Sequence, residues 1–76
     1  MRELHLRSNK LMALPDSIGM LRELRHLDLR GNPLAYLPEA IAGLPRLEKL
    51  DLRWVEKLIA PPWFPDLEAR GCLVYR

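Results

Sequence analysis

An arginine returns at a fixed interval along this chain, at Arg7, Arg30, Arg53 and Arg76. Guanidinium forks read carboxylates and phosphates two hydrogen bonds at a time, so a row of them is a candidate for gripping an acidic partner segment. Asp28 and Asp51 each stand two residues before an arginine. The competing reading is therefore a solvated charge ladder that neutralises itself, in which each exposed pair contributes about 0–1 kcal/mol. Trp54 follows Arg53 directly, and Trp and Arg dominate the hot spots of protein interfaces. Trp54 is either a recognition residue or a lid folded over the neighbouring Val55. His5, His26 and Asp28 have the side-chain types for a metal site or a His–Asp acid–base pair. That is the remote reading: the sequence has no Gly-rich phosphate loop, no Cys-x-x-Cys and no Ser/His/Asp set. Neither enzymatic activity nor a cofactor or metal is expected. Cys72, the single cysteine, reads as a partly covered small residue.

What positions these side chains is a repeat. The same interval of 23 residues links Leu4, Leu27, Leu50 and Leu73, and then Leu6, Leu29, Leu52 and Tyr75. It links Leu14, Leu37 and Ala60; Pro15, Pro38 and Pro61; Ile18, Ile41 and Phe64; and Leu21, Leu44 and Leu67. Each unit opens with an apolar–polar–apolar triplet such as Leu27-Asp28-Leu29, the alternation of a strand. It continues through Leu14, Ile18 and Leu21 at near-helical spacing, introduced by a proline that suits the first position of a helix. In the third unit Pro65-Asp66 opens a turn that Gly71 can close. Strand, turn, short helix and return form one coil of a solenoid, and only stacked coils bury the apolar side of each.

The segment Leu24-Arg25-His26-Leu27-Asp28-Leu29-Arg30-Gly31-Asn32-Pro33-Leu34, with Leu14-Pro15-Asp16-Ser17-Ile18-Gly19-Met20-Leu21 and its counterpart from Leu37 to Leu44, resembles the leucine-rich-repeat family in its 23-residue form. The resemblance implies an α/β fold: a short leucine-rich-repeat solenoid with a parallel sheet of about four strands on the concave face and short helices or turns on the convex face. It implies a single domain over residues 1–76, with repeats at about 1–23, 24–46 and 47–69 and a final strand and cap at 70–76. It also places Asn9 and Asn32 in a structural ladder whose amides satisfy backbone groups in the turns. The third unit departs from the pattern: Val55 stands where the ladder asparagine would be, and Lys57 where Leu11 and Leu34 stood. Leu58 takes that core position if the turn shifts by one residue. Arg70 replaces Leu24 and Leu47. The stretch from Trp54 to Arg76 thus reads as a modified, capping unit closed by Trp63, Phe64 and Leu67.

On such a solenoid the residues flanking the strand leucines face outward. That predicts concave columns of Arg7, Arg30, Arg53 and Arg76; His5, Asp28, Asp51 and Val74; and Glu3, His26, Lys49 and Cys72. The predicted function is protein–protein interaction through this face and its rims, at Arg7, His26, Asp28, Arg30, Lys49, Asp51, Arg53 and Trp54. The alternative is self-association, a homodimer through the N-terminal coil at Leu4 and Leu6, or service as a piece of a longer array. A net charge of +2, from 12 basic and 10 acidic residues, argues against nucleic acid as a partner. No stretch approaches the roughly 20 apolar residues of a membrane span. With one cysteine and no apolar run at Met1-Arg2-Glu3-Leu4, the expected location is the cytoplasm.

Overall fold

The computed structural model describes residues 2–76. Its sheet is parallel with strand order β1-β2-β3-β4, formed by β1 (Glu3–His5), β2 (His26–Asp28), β3 (Lys49–Asp51) and β4 (Leu73–Tyr75). Hydrogen bonding runs past these short strands: the Leu6 N–H donates to Asp28 O at 2.8 Å, that of Leu29 to Asp51 O at 2.9 Å, and that of Leu52 to Tyr75 O at 2.7 Å. Between strands the chain crosses the convex side through two 3-10 turns, Asp16–Met20 and Glu39–Gly43, and one α-helix, α1 (Phe64–Ala69).

Pro15 and Pro38 immediately precede the 3-10 turns, and their carbonyls accept from the N–H groups of Ile18 and Ile41, both at 3.1 Å. Proline has no N–H to lose there, so the turn starts without an orphaned donor. Five residues per turn leave no room for a full α-helix, and the tighter i→i+3 bonding results. The turns stack closely enough that a Cβ at Gly19 would stand 2.9 Å from the Cβ of Ala40.

Between the two layers lies one core. Leu24, Leu27, Leu29, Leu34, Ile41, Leu44, Leu50, Leu52, Phe64 and Leu67 are each at most 2% exposed. Burial of a leucine or phenylalanine side chain contributes about 1.5–3 kcal/mol, and these residues supply the main favourable term of folding. Leu4 and Leu6, in the same columns, are only half-buried. The third unit closes the core largely as its composition suggests: Phe64 and Leu67 are buried, and Trp63 meets the Phe64 ring edge-to-face at 5.2 Å. Leu58 packs partly against the core while Lys57 stays exposed.

The last strand corrects the sequence columns. Leu4 pairs with Leu27 and Leu27 with Leu50, but Leu50 pairs with Val74. The extra residue enters after Leu67, because α1 runs on to Ala69, past the position equivalent to Gly43, before Gly71 turns the chain at φ +93°. A one-residue slip exchanges the faces of a strand. Val74 and Cys72 therefore turn inward, Cys72 being 3% exposed, whereas Leu73 and Tyr75 face out at 57% and 38%. Arg76 leaves the arginine column and lies over the Phe64 ring at 5.2 Å. Arg70, the charge in a core column, stays exposed and donates to the Ala42 and Leu44 carbonyls at 2.6 Å each, tying α1 to the convex turn of the preceding coil.

Candidate functional site

Across the sheet the outward residues now align as Glu3, His26, Lys49, Leu73 and as His5, Asp28, Asp51, Tyr75. The Asp–Arg pairs at its centre are alike in two coils. Arg30 gives Nε to Asp28 Oδ1 at 3.0 Å and Nη2 to Oδ2 at 2.8 Å; Arg53 does the same to Asp51 at 3.0 and 2.7 Å. The backbone N–H of each arginine also donates to the same carboxylate at 3.2 Å, and Arg30 Nε reaches Asp51 Oδ2 at 3.3 Å. Side-chain hydrogen bonds from these arginines hold both carboxyls well below the usual carboxylate range, against the opposing effect of burial.

The expected solvated ladder is thus a covered one. Asp28 is 7% exposed and Asp51 2%, because the guanidinium groups lie flat over them. Arg30 spends its fork inside the fold, whereas Arg53, bonded in the same way, remains 45% exposed. Arg7 is exposed, with His5 rather than an aspartate two residues before it. Lys49 takes part in no ion pair among the described residues; its Nζ sits 5.2 Å from the centre of the Tyr75 ring, and Arg53 Cζ stands 5.6 Å from the same centre.

His5, His26 and Asp28 do not converge. His5 Nε2 donates to Glu3 Oε1 at 3.1 Å, and its Nδ1 is 3.6 Å from Asp28 Oδ2. His26 turns instead to Glu3 and Glu48, at 3.5 and 3.8 Å. The hydrogen bond from His5 is the main reason the Glu3 carboxyl lies below its ordinary value. Among the described residues no three His, Cys, Asp or Glu side chains are placed to hold a metal ion.

Trp54 does not fold over the core. It is 69% exposed, and Val55 fills the position itself at 8%. The backbone at Trp54 is left-handed, φ +64°, as it is at the equivalent Ser8 (+56°) and Gly31 (+72°). The turn after each strand demands this conformation, which glycine takes freely and a bulky side chain takes at a cost of about 1–2 kcal/mol. The indole separates a cleft of about 320 Å³, floored by Leu52, Val55 and Leu58, from one of about 200 Å³ beside Asn32 and Pro33.

The ladder rests on Asn32. Its Oδ1 accepts from the N–H groups of Asn9 and Leu11 at 2.9 and 3.1 Å, and its Nδ2 donates to the Leu6 and Leu29 carbonyls at 2.8 and 2.9 Å. Asn32 is 1% exposed. The Asn32 amide reaches back to the coil before it, whereas Asn9, which the sequence pairs with Asn32, is exposed with no side-chain hydrogen bond among the described residues.

Coils of this length, a parallel sheet with buried leucines and a buried, fully bonded Asn32 agree with the comparison to known families: a family model described as leucine rich repeat matches residues 1–54. The chain belongs to the leucine-rich-repeat family. Leucine-rich-repeat domains generally mediate protein–protein interaction and are generally not enzymes. No curated protein matches the chain. The matched stretch ends at Trp54, the last residue before the leucine-rich-repeat pattern gives way to Val55 and the register slip that follows.

Sequence reasoning missed Leu73 and Tyr75 as outward residues. The available signal was the pair Arg70-Gly71: a charge where the 23-residue interval requires a leucine, followed by the residue type that takes a positive φ.

Proposed function

We propose that this leucine-rich-repeat chain binds another protein through its concave face and the rim at Trp54. The observation that carries the reading is Trp54 itself, a large aromatic, 69% exposed, in a left-handed turn where Gly31 stands in the coil before. Strain held at an exposed aromatic is commonly a mark of a contact surface. Tyr75, with Lys49 and Arg53 against its ring, extends that surface across β3 and β4. The single cysteine suits action in the cytoplasm.

The immobilised chain is compared with its Trp54→Gly and Tyr75→Ala variants and with Met20→Ala, a substitution at an exposed residue of the convex side. A protein retained by the wild type and by the Met20 control, and lost from the other two, supports the reading. Trp54→Gly should at the same time keep or raise the melting temperature, since it relieves the turn. An identical set of captured proteins for all four chains refutes the concave-face assignment.

Self-association is the second reading, favoured by the half-buried Leu4 and Leu6 and by the place of β1 at the sheet edge. Light scattering across a concentration series tests it: a dimer that Leu4→Lys with Leu6→Lys converts to monomer supports it, and a monomer throughout sinks it.

A further inference from the structure

We infer that the partner segment is acidic and carries one aromatic or aliphatic anchor, seated over β3 and β4. The inference rests on the concave-face reading and adds the chemistry of what is bound. Asp28 and Asp51 are already neutralised by Arg30 and Arg53, so the two carboxylates and the mostly covered Arg30 offer little to a ligand of either sign. What the face leaves available is different on its two sides. Toward β1 stands Glu3, bonded to His5 and beside His26. Toward β4 stands Lys49, which forms no ion pair within 4 Å among the described residues, and next to it the Arg53 side chain, 45% exposed. Arg53 gives only Nε and Nη2 to Asp51, which leaves its Nη1 for an incoming carboxylate.

Both cations lean on Tyr75, whose ring they hold in place, and Leu73 lies 57% exposed on the same strand. Cation–π contacts of this kind contribute about 0.5–1 kcal/mol at exposed sites and orient the ring. A partner side chain stacked on Tyr75 and Leu73, with carboxylates on either side of it, meets Lys49 and Arg53 without disturbing the buried pairs.

The test selects from a displayed library of random peptides on the immobilised wild-type chain at about 0.15 M salt, where exposed charges still act over roughly 8 Å. Expected are peptides enriched in Asp and Glu around a Phe, Trp or Leu. A fluorescein-labelled representative should lose about tenfold or more in affinity on Lys49→Glu, since an attraction is replaced by a repulsion. It should keep most of its affinity on Lys49→Arg and lose it on Tyr75→Ala. If Tyr75→Ala does not fold, the two Lys49 variants decide. Neutral or basic peptides that are lost on Tyr75→Ala and Trp54→Gly overturn the acidic inference while the concave-face reading stands. Peptides indifferent to all these substitutions overturn both. An empty selection, or tighter binding to a single-stranded oligonucleotide than to the acidic peptide, also overturns the inference.

Discussion

Asn9 and Asn32 occupy one sequence column, and the structure gives them opposite weights. Besides a long bond to the Arg30 carbonyl at 3.4 Å, Asn32→Ala removes four hydrogen bonds to backbone groups of two coils: the N–H groups of Asn9 and Leu11 and the carbonyls of Leu6 and Leu29. A net contribution of about 1 kcal/mol for each gives a loss of roughly 4 kcal/mol. The Leu29 carbonyl is the buried member and cannot turn to water, whereas the first-coil groups are partly exposed and recover some of the loss. About 3–4 kcal/mol is the resulting estimate. A chain of 76 residues has a total stability of about 4–11 kcal/mol, so Asn32→Ala consumes much of it. Asn9→Ala, at an exposed residue with no side-chain bond, should change stability by less than about 0.5 kcal/mol. Urea unfolding followed by the fluorescence of Trp54 and Trp63 measures both. Amide exchange adds a local reading, since the Asn9 and Leu11 amides should lose protection in the Asn32 variant even where it stays folded. Equal losses for the two substitutions would refute the ladder geometry.

The remaining predictions concern charge, packing and register. Asp28 and Asp51 have folded pKa values depressed by their arginine partners, so their stabilisation is complete above the unfolded value of about 3.9 and is lost as pH falls below it toward the folded values. Stability should be flat near neutrality and drop below about pH 4–5; the Asp51→Asn variant should start lower and drop less, and parallel acid curves would contradict the covered pairs. Gly19→Ala, with its Cβ set 2.9 Å from that of Ala40, should cost about 1–3 kcal/mol in urea unfolding by prising the convex turns apart. Cys72, buried with its thiol pushed up by that burial, should react with a thiol reagent only as the chain unfolds. Rapid reaction in the native state would return it to the concave face and undo the register of β4.

Much of the fold was legible because buried apolar columns repeat at a fixed interval, and only stacked coils can bury them. Leu27, Leu29, Leu50 and Leu52 are all core residues, as their columns require. The fourth strand was not legible from the interval, since the length of α1 depends on how far the helix continues past Leu67, which tertiary packing decides. The site was half legible. Asp–Arg spacing showed that the charges share a face, but not that the guanidiniums would lie flat and cover the carboxylates. That depends on side-chain geometry, and it changes which cations remain for a partner: Lys49 and the exposed edge of Arg53 instead of the whole arginine row.

Size limits how such a surface can act. Four strands at about 4.8 Å spacing span roughly 15–20 Å, and the whole chain measures 26 × 24 × 18 Å. The concave sheet therefore offers a few hundred Å², whereas a stable interface takes about 800 Å² from each partner, roughly a sixth of this chain's 4983 Å². Binding by the sheet alone should be weak and fast to dissociate. Affinity must come from a few strong contacts, and an aromatic on the strained turn after β3, together with a tyrosine on β4 flanked by cations, supplies them in the last coils of the solenoid. The rim at Trp54 matters for the same reason: the cleft of about 320 Å³ beside it adds apolar area just outside the sheet. A partner that reaches from Tyr75 into that cleft gains contact area without needing a wider solenoid, and one confined to the central Asp–Arg pairs does not.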